Sequence, residues 1–336
     1  MKMNRNLAAD AGRVLMVGLS GPDLTSGEKK SLEQLRPGGV ILFRRNLDSP
    51  ERLAVLMEDL DRLLPAFPWL AVDQEGGSVS RLEPWIGATP SACERASAGP
   101  GEAYRFGRET GRQLASLGFN LDFAPVVDLC PPDRPNGIGD RSWGTDPEKV
   151  AGLTGRFLDG LHSTGVAGCL KHFPGLGDTA VDSHLELPVC RRDGGMIERV
   201  DMLPYRELGP SAPAIMVCHA SFPTLDSEEG RPASLSPAII TRYLREQIGF
   251  TGMVATDDME MGAVAPLDVD GSAAVQAIRA GADLLPYCAD LNRAGAARDA
   301  LVREAEADNR FAGRLHQGAV RVLETAGDWP RKFPGR

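Results

Sequence analysis

Three short stretches hold the residue types that nucleophilic and acid/base chemistry need. VATDDMEM sets Asp257 and Asp258 side by side directly after a short apolar run. Adjacent carboxylates at the end of a buried strand are costly unless something uses or pairs them, because burial disfavours their charged forms. Their bland role would be to cap the turn that follows. KHFPGLGDTAVDSHLELPV, from Lys171 to Val189, places Asp182 two residues before His184. From there an aspartate can reach one ring nitrogen, fix the tautomer and support the imidazolium when the other nitrogen takes a proton. A general acid/base needs that arrangement, although an isolated D-x-H is more often a surface loop pair. VDQEGGSVSR carries Asp73 and Arg81 around two glycines. A carboxylate and a guanidinium near one mouth suit a ligand with many hydroxyls, and equally a solvated turn with a structural salt bridge.

Other chemistries find less support. His172, Asp178, Asp182, His184 and His219 are all plausible metal-ligand types, yet no H-x-H or H-E-x-x-H occurs and Lys171 would set a cation beside His172. No metal is therefore expected. Neither a dinucleotide G-x-G-x-x-G nor a phosphate-binding G-x-x-x-x-G-K-[ST] follows a strand, and the serine elbow G-x-S-x-G is absent. His162 and His316 fall in helical segments and read as structural or exposed.

What positions these residues is legible as alternating periodicity. Eight short apolar, β-branched runs recur: RVLMVGL from Arg13, GVILF from Gly39, WLAVD from Trp69, LDFAPVVDL from Leu121, AGCLKH from Ala167, AIMVCH from Ala214, GMVATDD from Gly252 and DLLPYC from Asp283. Between them lie helical patterns: KKSLEQL, SPERLAVLMEDLDRLL, GEAYRFGRETGRQLASLG, PEKVAGLTGRFLDGLHSTG, MIERVDMLPYREL, SPAIITRYLREQIG and SAAVQAIRAGA. Ser49, Pro50 and Glu51 mark one helix start, an N-cap with proline at the first helical position. Strands that are apolar throughout and alternate with helices predict an α/β fold with a parallel sheet, and eight units fit a (β/α)8 TIM-type barrel. No linker or composition shift divides the chain, so residues 1–336 read as one barrel domain without a second domain. In such a barrel, chemistry sits at the carboxyl ends of the strands. Asp73, Asp128, Lys171 with His172, His219, and Asp257 with Asp258 all fall there. That placement favours function over capping for the Asp pair, and a Gly175/Gly177-hinged loop beside the mouth favours acid/base work for Asp182 and His184.

Composition bounds the partners. The 336 residues are 42% hydrophobic and 25% charged, which fits a globular chain with a substantial core. A formal charge of -9 without a basic run speaks against nucleic-acid binding. The apolar stretch near the N-terminus is too short for a signal core or a membrane span, so no membrane association is expected. Six cysteines with no C-x-x-C pair and no regular spacing suit a reducing cytoplasm.

Five ordered motifs, VDQEGGSVSRL, DFAPVVDL, GDRSWGTDP, KHFPGLGDTAVDSH and GFTGMVATDDMEM, resemble glycoside hydrolase family 3, in its single-domain β-N-acetylglucosaminidase branch. They span from about Gly38 to Asp258, and the barrel pattern extends the likeness over nearly the whole chain. The resemblance implies that Asp257 is a nucleophile forming a covalent glycosyl-enzyme, so that configuration is retained. It implies an acid/base dyad in Asp182 and His184, and sugar-binding roles for Asp73, Arg81, Arg141, Lys171 and His172. It implies no metal or organic cofactor, and as substrate a cell-wall (peptidoglycan) turnover fragment: terminal N-acetylglucosamine linked β-1,4 to an anhydro-muramic sugar bearing a peptide. A β-glucosidase or a glycoside phosphorylase would share the barrel and Asp257, and a non-catalytic sugar-binding barrel is the rival from another class. Two positions depart from the family pattern: Leu176 stands where K-H-F-P-G-H-G has its second histidine, and Ser78 where relatives often carry arginine.

Overall fold

The computed structural model describes residues 6–64, 68–131, 133, 136–179 and 187–330. Eight parallel strands form one sheet: β1 (Leu15–Gly18), β2 (Gly39–Ile41), β3 (Trp69–Val72), β6 (Leu121–Asp122), β7 (Ala167–Phe173), β8 (Ala214–Val217), β9 (Met253–Thr256) and β10 (Leu285–Tyr287). A hairpin of β4 (Gln74–Gly76) and β5 (Val79–Ser80) follows β3. The order β10-β1-β2-β3-β6-β7-β8-β9 follows the chain around the sheet. The Ala255–Leu284 bridge and the bond from Thr256 N to Leu284 O (3.0 Å) then join its two edges. All eight apolar runs thus become the staves of a (β/α)8 barrel, and closure removes the edges an open sheet would leave unpaired.

Period-2 alternation sorts each strand's side chains between two cores. Inward residues, among them Met16, Trp69, Leu121, Phe123 and Met253, fill the barrel interior. Outward ones such as Val17, Leu70, Leu170 and Ile215 pack under the helices.

Those helices include α1 (Leu7–Arg13), α2 (Ser26–Leu35), α3 (Pro50–Leu63), α4 (Pro100–Ser116), α5 (Pro147–His162), α6 (Ser272–Ala280), α7 (Leu291–Ala307) and α8 (Asn309–Asp328). Local signals set several starts. Thr25 and Glu28 form a reciprocal capping box on α2, and Ser49 caps α3 ahead of Pro50, as its sequence predicts. Helices α4 and α5 pack closely because Gly107 and Gly160 carry no Cβ; one added at Gly107 would stand 2.0 Å from Phe157 O.

The structure differs from the sequence pattern in four places. Arg13 closes α1, and β1 begins only at Leu15. The pattern over MIERVDMLPYREL is divided into a wide π turn at Ile197–Asp201 and a short helix at Leu203–Leu208, which starts beside Pro204. Helix α7 lies past the last helical pattern spelled out from the sequence; its alanine-rich buried face gives a weaker apolar stripe than leucine would, whereas α8 carries the helical segment read around His316. LDFAPVVDL pairs as a regular strand only over its first two residues, since Pro125 brings no N–H to the ladder. Val126 and Val127 resume contact through Lys171.

Candidate active site

The carboxyl ends of the strands surround a cavity of about 260 Å³, whose polar lining includes Asp73, Glu75, Arg81, Arg141, Lys171, His172 and Asp257. Apolar side chains, among them Phe43, Ile138, Leu176 and Met261, complete the lining. Its volume lies just under the roughly 300–1,000 Å³ usual for ligand pockets, on the scale of one sugar ring.

Lys171 and His172 are consecutive in β7, so ordinary alternation would send one of them away from the mouth. Pairing with β8 resolves this. Register runs Leu170 to Ile215 and then Phe173 to Val217, so two residues of β7 oppose Met216 alone. Such a bulge re-aims side chains, and here both line the cavity. The Lys171–His172 and Phe173–Pro174 peptide bonds are cis.

Lys171 Nζ bridges Asp73 Oδ1 (2.9 Å) and Glu75 Oε1 (2.6 Å). Glu75 also receives two parallel bonds from Arg141, Nε to Oε2 at 2.8 Å and Nη2 to Oε1 at 2.9 Å. Burial works against charge on all three buried groups, but their mutual attraction outweighs it. Arg141 and Lys171 hold the Glu75 carboxyl well below the usual range; Asp73 and Glu75 raise the Lys171 ammonium, and Glu75 raises the Arg141 guanidinium. Glu75, Lys171 and Arg141 are therefore all ionised at neutral pH. The cluster's outermost member is Arg81, whose Nη2 lies 3.4 Å from Asp73 Oδ2 and whose buried Nε has no hydrogen-bond partner among the described residues. Donors and acceptors so fixed match the hydroxyls of a sugar.

Asp128, buried at the end of the fourth staff, holds His172 from behind. Its Oδ2 pairs with His172 Nδ1 at 2.7 Å and accepts the His172 amide at 3.2 Å; its Oδ1 accepts the Leu176 amide at 2.7 Å. The carboxylate thus holds a proton on Nδ1 and fixes the orientation of the ring.

Asp257 follows β9, its amide bonded to Val217 O (3.0 Å). Its Oδ1 accepts the Asp258 amide at 2.9 Å, while Oδ2 makes no hydrogen bond among the described residues. Burial opposes its ionisation, but His172, His219, the Asp258 amide and Lys171 more than offset that, and its carboxyl lies below the ordinary value. An ionised carboxylate with one unbound oxygen at a sugar-sized cavity can attack an electrophilic carbon. Asp258 is the reverse case: burial pushes it up to about 6. Its Oδ1 accepts the amides of Glu260 (3.0 Å) and Cys288 (3.3 Å), tying the end of β9 to that of β10. His219 is fully buried and held neutral by desolvation; Nε2 donates to Asp258 O (2.9 Å) and Nδ1 accepts from Ser234 Oγ (2.7 Å).

The structure therefore brings Asp73, Arg81, Arg141, Lys171, His172 and Asp257 to one cavity. Asp182 and His184 lie outside the described residues. Glu75 and Asp128 are additions to the set read from sequence; Glu75 stands within the same VDQEGG stretch, and only the fold shows that it is the shared partner of two cations. The two glycines before the dyad have a packing role that the sequence reading took as flexibility: a Cβ at Gly177 would meet Leu129 O at 1.8 Å. His162 accepts from the Gly168 amide and stacks near Trp329, and burial lowers its pKa to about 4, as befits a structural histidine. Among the described residues no group of three or more His, Cys, Asp or Glu side chains could hold a metal ion, and no helix is long and apolar enough to cross a membrane.

A closed parallel barrel with an ionised carboxylate and a buried ion cluster around a cavity at its carboxyl end is an architecture found in the glycoside hydrolase class. Residues 9–324 match the model for the glycosyl hydrolase family 3 N terminal domain, and the chain belongs to that family; it is a glycoside hydrolase. Among similar proteins, a beta-hexosaminidase of Tolumonas auensis is 36% identical over 291 residues, covering 84% of each chain. One from Pseudomonas aeruginosa PAO1 is 33% identical over 293 residues, covering 86% of each. The solved structure of a glycoside hydrolase family 3 beta-N-acetylglucosaminidase from Paenibacillus sp. FPU-7 superposes with a TM-score of 0.89 at 32% identity. The match covers 99% of this chain but only 65% of that one. A family 3 glycosyl hydrolase from Mycobacterium smegmatis matches with a TM-score of 0.86 and 31% identity, covering 98% of this chain and 99% of its own.

Proposed function

We propose that this chain is a retaining exo-β-N-acetylglucosaminidase. The observation that carries the reading is Asp257, an ionised carboxylate whose Oδ2 makes no hydrogen bond among the described residues, in a sugar-sized cavity that it lines together with the Glu75–Lys171–Arg141 ion cluster. Relatives named beta-hexosaminidase and the Paenibacillus β-N-acetylglucosaminidase support the acetamido sugar over glucose.

In this reading Asp73, Arg81, Arg141, Lys171 and His172 hold the non-reducing sugar. Asp257 Oδ2 attacks the anomeric carbon; the bond to the leaving oxygen breaks as His184, steadied by Asp182, delivers its proton to that oxygen. Water then attacks the same carbon, His184 takes its proton, and the bond to Asp257 breaks with overall retention. The substrate is a cytoplasmic peptidoglycan fragment bearing terminal N-acetylglucosamine.

The test is release of p-nitrophenol from the β-N-acetylglucosaminide and β-glucoside, by the wild type, Asp257→Ala and His184→Ala, with and without phosphate. Preference for the acetamido sugar, abolished in Asp257→Ala and strongly reduced in His184→Ala, is expected. A sugar phosphate product would make the chain a phosphorylase. Unchanged turnover in His184→Ala would remove the dyad, and binding of N-acetylglucosamine without turnover by the wild type would leave a sugar-binding barrel.

A further inference from the structure

The β4–β5 hairpin and the residues at its two ends carry three of the charged groups at the cavity, and alternation gives the ribbon two faces. Asp73, Glu75 and Arg81 line the cavity, with Val79 beside them. Gln74, Ser80 and Leu82 take the other face, all buried, Gln74 with 1% exposure. A ribbon this short does not hold itself. β5 is two residues long, and it pairs with β4 through Gln74 with Ser80 and Gly76 with Val79, with an irregular register between them. A lone two-stranded hairpin is marginal in water. Nor does the Arg81 head group anchor its own end, since its contact with Asp73 is long at 3.4 Å and its Nε has no hydrogen-bond partner among the described residues.

What fixes the ribbon lies behind it. Gln74 Nε2 donates to Ser80 Oγ at 2.9 Å, and Gln74 Oε1 accepts the Leu82 amide at 3.0 Å. A backbone N–H can only donate, so the Leu82 bond settles which end of the carboxamide is oxygen. One buried side chain thus grips both neighbours of Arg81 in the chain. The Gln74 backbone is held in turn: its N–H donates to Oδ1 of the wholly buried Asp122 at 2.9 Å, on β6, the stave beside β3. Gln74 also stands between Asp73 and Glu75, so the same anchor bears on the two carboxylates that hold Lys171.

We propose that Gln74 is a positioning residue for sugar recognition: without touching the ligand it sets the reach of Arg81 into the cavity, through Ser80 and Leu82. The inference rests on the glycosidase reading above, in which Arg81 is among the groups that hold the non-reducing sugar. A hydroxyl contact held alike in the ground and transition states changes KM and leaves kcat, so the effect falls on binding.

Gln74→Met keeps the length of the side chain and gives up both bonds. On the p-nitrophenyl β-N-acetylglucosaminide it should raise KM by roughly five- to tenfold, leave kcat within about twofold, and weaken inhibition by N-acetylglucosamine by the same factor as KM. The discriminating background is Arg81→Gln. If Gln74 acts through Arg81, adding Gln74→Met to Arg81→Gln should raise KM by less than about twofold more. Ser80→Ala removes one of the two bonds by a small change and should raise KM by about two- to threefold, again only while Arg81 is present. It carries the same cycle if Gln74→Met does not fold. KM changes that multiply in the double variants, or a wild-type KM in Gln74→Met, would overturn the inference. So would a wild-type KM in Arg81→Gln, which leaves Gln74 nothing to position. A wild type that binds N-acetylglucosamine without hydrolysing the aryl glycoside is a separate result: it sinks the glycosidase reading, and the same cycle read by calorimetric N-acetylglucosamine binding still decides the role of Gln74. A wild type that neither hydrolyses nor binds the sugar overturns both.

Discussion

Replacing Asp258 by asparagine should make the protein more stable at neutral pH and remove a pH dependence that the wild type has. Burial raises the Asp258 carboxyl from 3.8 to about 6, so the folded state holds that proton more tightly than the unfolded chain does. Below pH 4 both states are protonated and the group contributes nothing. As pH climbs from about 4 to about 6 the unfolded chain ionises and the folded protein resists, so stability falls by about 1.4 kcal/mol per pH unit. Above about 6 the loss is complete at about 3 kcal/mol, the free energy equivalent of the pKa difference. Asparagine keeps an acceptor oxygen for the Glu260 and Cys288 amides, the bonds Asp258 makes now, and carries no charge to desolvate. Urea unfolding of wild type and Asp258→Asn at half-unit steps from pH 4 to 7.5 tests this. The stability difference between them should grow toward pH 6 and then stay flat. A difference constant across that range would refute the argument that desolvation at Asp258 governs its ionisation.

Three further outcomes follow from the geometry. Asp283, wholly buried at the opposite end of the barrel, accepts from Arg245 (2.5 Å), Arg314 (2.7 Å), Arg321 (2.8 Å) and the Val254 amide (3.0 Å). Asp283→Ala leaves three guanidiniums facing one another and should cost about 3–5 kcal/mol in denaturant unfolding. Arg141→Lys preserves charge but not the two parallel bonds to Glu75, and should lower kcat/KM on the aryl N-acetylglucosaminide by roughly tenfold or more with little change in melting temperature. Asp128→Ala releases both His172 and the Leu176 amide, leaving a buried ring nitrogen and a buried amide unpaired. It should destabilise the fold by about 2–4 kcal/mol and lower kcat/KM together; Asp128→Asn, which can still accept, should recover most of the stability but less of the activity.

The eight apolar runs and the polar residues at their carboxyl ends were legible because barrel strands are apolar on both faces, so a polar residue closing such a run stands out in the sequence. Local signals sufficed where a single turn decides the matter, as with the Ser49–Pro50 start of α3. Helix α7 escaped because alanine makes up most of its buried face, and how small a buried side chain must be depends on the neighbour it meets. The division of labour within the site was beyond the sequence for a similar reason. That Lys171 and His172 both face the cavity depends on one extra residue in the register with β8, a property of two strands together. Glu75 is shared by Arg141, 66 residues away, and by Lys171; Asp257 and Asp258, adjacent in the chain, are shifted in opposite senses because His172, His219, Lys171 and the Asp258 amide outweigh burial at the first, while at the second burial outweighs the two amides it accepts. Sequence alone determined which residue types stand at the barrel mouth, since periodicity and turn chemistry are local. Which of them touch, and which carry charge, was decided by tertiary structure, because electrostatic energies depend on distances through space and on water excluded by residues far along the chain.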